Sequence, residues 1–100
     1  MMTLGDANRV VGNAASATLK DAGLIRAFTE DTVDPDGRDA LRVVLVVDAE
    51  NKITGDLALD VLVRIQQDLQ RAGEARFAYV EYATEQDLAE ELLEHDDAES

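Results

Sequence analysis

Residues 41–48 read Leu-Arg-Val-Val-Leu-Val-Val-Asp. From Val43 to Val47 the chain is apolar without a break. A strand sends successive side chains to opposite faces, so an unbroken apolar run predicts burial on both faces and a central place in a sheet. The run has the length of a strand and is far short of the roughly 20 apolar residues that a membrane-spanning helix needs.

Upstream, Asp34-Pro35-Asp36-Gly37 is a turn. Proline presets φ at its first central position, aspartate hydrogen-bonds its own turn and glycine takes the left-handed site. Leu24–Val33 before it mixes β-branched and aromatic residues with charged ones, as an edge strand does. Residues 6–22 predict a helix, N-capped by Asp6, with Val10, Val11, Ala14, Thr18 and Ala22 on one face and many small residues for close packing. Gly23 is expected to stop it as a C′ residue.

Downstream, Asp48-Ala49-Glu50-Asn51 reads as a turn and Lys52-Ile53-Thr54 as a short further strand. Leu57–Ala72 predicts the main helix, opened by Asp56, with Leu57, Val61, Leu62, Ile65, Leu69 and Ala72 inward. Leu59 and Val63 widen its apolar arc, which predicts cover from the first helix or from a partner. Residues 76–82 predict the last strand, and Thr84 caps a final helix carrying Leu88, Leu92 and Leu93 on one side. The expected fold class is therefore α+β: a single small sandwich of order α-β-β-(β)-α-β-α, with a mainly antiparallel sheet and helices on one face. One domain is expected over residues 1–94, followed by an acidic, disordered tail over 95–100. The order resembles that of class II KH and BolA-like domains, but the Gly-x-x-Gly of a KH loop does not occur.

The net charge is −13. Residues 84–100 hold eight acids and no Lys or Arg, and the other 83 carry 14 acids against 9 bases. This balance opposes nonspecific binding to nucleic acid or anionic membranes. No cysteine is present, which excludes disulfides, thiolate zinc sites and cysteine nucleophiles. Neither a leader peptide nor a membrane span is read, so a cytoplasmic location is expected.

Three of the four aromatics fall in Arg76-Phe77-Ala78-Tyr79-Val80-Glu81-Tyr82. The segment resembles the aromatic strand of an RNA-recognition motif, which runs basic, glycine, aromatic, small, aromatic, aliphatic, any, aromatic. The resemblance spans about eight residues and implies Phe77 and Tyr79 as base-stacking groups, with Ala78, Val80 and Tyr82 in the core. Ala75 and Arg76 depart from the basic residue and the glycine. The family's other aromatic strand has no counterpart in Leu41–Asp48, and its basic groove has none in this acidic chain. Nucleic acid is thus an alternative partner, and a protein is the expected one. Phe77, Tyr79, Val44 and Val46 together predict an apolar patch on an open sheet face, and a second copy of the chain is its simplest cover.

A further alternative lies in the acids. Glu90, Glu91, Glu94, Asp96 and Asp97 form a set that could dock on a basic protein surface, as an inhibitor or nucleic-acid mimic does. His95 among them is a lone imidazole, and structural zinc sites use three or four ligands. Asp48, Glu50, Asp56 and Asp60 lack the spacing of a calcium loop. Ser16 and Ser100 are the only serines. The reading that results is a small, acidic, non-enzymatic protein-interaction or regulatory domain that forms a homodimer, with no cofactor, metal or catalytic residue assigned.

Overall fold

The structure, a computed structural model, describes residues 2–20 and 22–90. Its elements are α1 (Leu4–Thr18), β1 (Leu24–Val33), β2 (Asp39–Val47), α2 (Gly55–Arg71) and β3 (Phe77–Ala83), and residues 85–90 are helical (α3). This is a small α+β fold around one three-stranded sheet of order β1-β2-β3. The unbroken apolar run occupies the centre, as its composition requires.

The sheet is mixed. β1 and β2 form an antiparallel hairpin, and β2 and β3 run parallel across the α2 crossover. Lys52–Thr54 does not add a strand. Glu50–Lys52 is a single 3-10 turn, and Thr54 already caps α2. A parallel neighbour needs a long crossover, and these residues serve as the run into its helix.

Leu41, Val43 and Leu45 project from β2 toward the helices, in register with Ala78, Val80 and Tyr82 of β3. They meet Ala7, Val11, Ala14 and Ala15 of α1 and Val61, Ile65 and Leu69 of α2. The four α1 residues are fully buried, three of them alanines that let the helix lie close. α1 is tied to β1 where Thr29 donates to the Asn8 side chain at 3.2 Å.

Both long helices begin earlier than their acids suggest. Thr3 caps α1, accepting from the Asp6 amide at 3.1 Å, and Thr54 caps α2, accepting from Leu57 at 3.2 Å. Asp6 and Asp56 therefore sit in the first turns, where they complement the helix dipole. Thr84 and Asp87 bond reciprocally at the start of α3, a capping box, at 3.1 Å each way.

Gly23 is not the residue that ends α1, because the helix stops at Thr18. It adopts φ 76° at the start of β1, and its carbonyl accepts from the Asp48 amide at 2.8 Å, closing the open end of the hairpin. At the other end, Asp34 organises the predicted turn, its carboxylate accepting from the amides of Asp36 and Arg38 at 2.9 Å each.

Candidate functional site

The face of the sheet away from α1 and α2 is not an uncovered apolar plane. Arg42 lies across it and holds Glu30 of β1 at 3.2 Å and Glu81 of β3 at 2.9 Å. These bonds push the Arg42 guanidinium further up, Glu81 contributing most. Two levels along the same face, beyond the Phe28–Val44 pair, Arg26 reaches Glu85 of α3 at 3.1 Å. Val44 and Val46, expected on an open patch, are buried, Val44 between these levels and Val46 in register with Arg26. Phe77 and Tyr79 do share this face and are exposed, 51% and 40%, in an edge-to-face pair with ring centroids 4.9 Å apart. The patch of four residues is thus divided, and its aromatic half lies at the β3 edge.

That edge has a second flank. Leu59 and Val63 of α2 are 58% and 44% exposed, so α1 does not cover them. Between α2 and β3 runs a groove of about 440 Å³, lined by Ala58, Leu59, Leu62, Val80 and Tyr82, with Phe77 and Tyr79 at its outer lip. On the side of α2 above the groove stand Leu59, Leu62, Val63, Gln66 and Gln70, with no charge among them. The spacing of three and four residues places them on one stripe. In a chain of net charge −13, an uncharged stripe beside an exposed strand is a distinct feature.

β3 is an edge strand, and its peptide groups alternate between β2 and the outside. Gln66 settles which residues face out. Its amide donates to the Ala78 carbonyl at 2.7 Å and accepts from the Ala78 N–H at 3.4 Å. By alternation the N–H and C=O groups of Val80 and Tyr82 also face out, and the sheet has no further strand among the described residues to take them. The opposite edge, β1, carries a register irregularity between Leu24 and Arg26 and the charges of Arg26, Glu30 and Asp31, features that discourage pairing.

No family model, curated protein or solved structure matches this chain. The site is therefore described by its own chemistry. It offers extended backbone, aliphatic and aromatic side chains and two hydroxyls, those of Tyr79 and Tyr82, of which the second is enclosed. The Tyr82 hydroxyl is buried with no hydrogen-bond partner among the described residues, and burial raises its pKa.

Of the acidic docking residues, Glu90 is exposed on α3. Glu91, Glu94, Asp96 and Asp97 lie outside the described residues, as do His95 and the tail 95–100. Asp87 contacts Glu50 of the 3-10 turn. This raises Glu50, while Asp87 is lowered first by the Thr84 amide and then by Glu50. No three His, Cys, Asp or Glu side chains among the described residues are grouped to hold a metal ion.

The sequence signal for the α2 stripe was the surplus of Leu59 and Val63 outside the inward arc. Gln66 carried no signal, since a glutamine on a helix is usually solvated.

Proposed function

We propose that this chain is a protein-interaction module that associates with a second copy of itself along the β3 edge. The observation that carries the reading is the outward peptide groups of Val80 and Tyr82 with exposed Leu59 and Val63 beside them. An exposed strand edge is a template for another strand. Antiparallel pairing of identical strands is self-complementary under a twofold axis, as a closed dimer requires.

The choice of a second copy rests on the layers. The edge offers backbone bonds in the sheet layer and apolar side chains in the helix layer. A partner that fits both must carry a strand with a helix above its edge, in the arrangement of β3 and α2. Pairing two such units continues the sheet through both chains and sets the two α2 stripes against one another. The uncharged stripe also lets two strongly acidic chains approach without opposing carboxylates there.

The contact belongs at the edge rather than on the open face. The Arg42 and Arg26 ion pairs cross that face, and Val44 and Val46 are already buried. RNA stacking on Phe77 and Tyr79 has less support, because Arg42, the cation in register with Tyr79, is held by two carboxylates.

The test is the solution mass of the wild-type chain and of the Leu59→Glu/Val63→Glu double variant by sedimentation equilibrium. A wild-type dimer and a folded, monomeric variant are expected. A variant as dimeric as the wild type would place the contact elsewhere.

A further inference from the structure

The β3 edge is not equally open along its length. The Gln66 side chain has the donor and acceptor of a peptide group, and it presents both to Ala78. It does for Ala78 what an adjacent strand would do. Val80 and Tyr82 have no such cover among the described residues.

We infer that Gln66 is a latch on the association edge, holding the Ala78 peptide in the single chain and giving it up to the partner strand on pairing. The inference rests on the self-association reading and assigns a residue that sets the register and strength of the contact.

Two registers show why the latch matters. With the twofold axis at Val80, that residue faces the partner's Val80, and Ala78 faces the partner's Tyr82. This register uses the Ala78 peptide, so Gln66 must withdraw. With Gln66 in place the axis must shift to Glu81, pairing Val80 with the partner's Tyr82. That register has one fewer hydrogen-bonded pair and sets Glu81 directly opposite the partner's Glu81 on the same face, where like charges repel. The latched chain therefore has only a poor register available. Full pairing must break the Gln66 bonds, which subtracts from association. Gln66 thereby also protects Ala78 against unspecific strand addition.

The experiment compares wild type, Gln66→Ala and Gln66→Met by sedimentation equilibrium. Amide hydrogen exchange at Ala78 is followed in the Leu59→Glu/Val63→Glu background with and without the Gln66 change. Alanine is the best helix former, and methionine keeps the volume of glutamine without its hydrogen bonds, so both variants should fold. The dimer dissociation constant is expected to fall roughly fivefold or more in both, a lower bound equal to one net hydrogen bond, since each of the two latches would give up two bonds on pairing. The Ala78 amide should exchange faster once Gln66 is changed. Dimerisation that is unchanged or weaker in a protein that does dimerise overturns the latch and leaves the dimer standing. An Ala78 amide that exchanges as slowly without Gln66 as with it also overturns the latch. If wild type and both variants are all monomers, the self-association reading fails and the latch with it.

Discussion

Arg76 grips Glu74 two residues before it through both sides of the guanidinium, Nε to Oε1 and Nη2 to Oε2, each at 2.9 Å. Glu74 is almost fully buried. The remaining arm of Arg76 reaches Asp31 of β1 at 2.7 Å, and its Nη2 also donates to the Met2 carbonyl at 3.3 Å. Glu74 in turn accepts from the Met2 amide at 3.2 Å. One buried pair thus ties the chain before α1, the β1 strand and the lead into β3.

The first prediction concerns this pair. The Arg76 side-chain bonds hold the Glu74 carboxyl down to about 2, against the opposing effect of burial and with help from the Arg76 and Met2 amides. An unfolded glutamate titrates near ~4.3. Its folded pKa is the lower one, so its contribution is complete above the unfolded value and is lost as pH falls through that range toward 2. Thermal unfolding of the wild type should show Tm falling over that window, and Glu74→Gln should start lower and fall less steeply. Arg76→Met should cost about 3–5 kcal/mol at neutral pH, because it leaves a buried charge without its main partner. Urea melts showing a loss below about 1 kcal/mol would show that the carboxylate finds other compensation.

Tyr82 supplies a test of opposite sign. Its hydroxyl is buried at the groove floor without a partner among the described residues, while its ring packs against the core. Tyr82→Phe keeps the ring and removes the unsatisfied group. Stability should be unchanged or rise by about 1 kcal/mol in chemical denaturation. A loss of that size would reveal a partner for the hydroxyl.

Gly23 is constrained twice over. Its φ of 76° suits glycine, and an added Cβ would lie 2.8 Å from the Asp48 Cβ. Gly23→Ala should therefore cost about 1–3 kcal/mol, read as a lowered denaturation midpoint with an unchanged slope. Gly37 makes the comparison, since it has a similar φ but open space around it. Gly37→Ala should cost less, and equal costs would mean that the Asp48 contact contributes nothing.

How much of this was legible in the sequence depends on how local its cause is. The central strand follows from five consecutive apolar residues, and the hairpin turn from one aspartate, proline and glycine cluster. The Thr84 cap was readable, and the same threonine-to-acid spacing at Thr3 and Asp6 was there to be read as well. The parallel placement of β3 was not, because Gly73, Glu74 and Ala75 only say that α2 ends there, and the side of β2 it joins is fixed by packing. Val44 and Val46 show the same limit: alternation put them on the face away from α1 and α2, but not whether that face was covered. Of the candidate site, Phe77, Tyr79, Leu59 and Val63 were visible as apolar residues in excess of a core. The pairing of Gln66 with Ala78 joins two elements whose relative position no local pattern encodes.

The parallel crossover also has a kinetic side. The β1–β2 hairpin closes through a short turn, whereas joining β3 to β2 requires closure of the longer connection that contains α2, which is entropically costlier and favours later pairing. Until then the strand edge lying bare is that of β2, with Val43 through Val47 along it. The most apolar segment of the chain is therefore the last to gain its second neighbour. Refolding at high concentration pits the arrival of β3 against pairing between β2 strands of different chains, which makes the docking rate of β3 a determinant of yield as well as of structure.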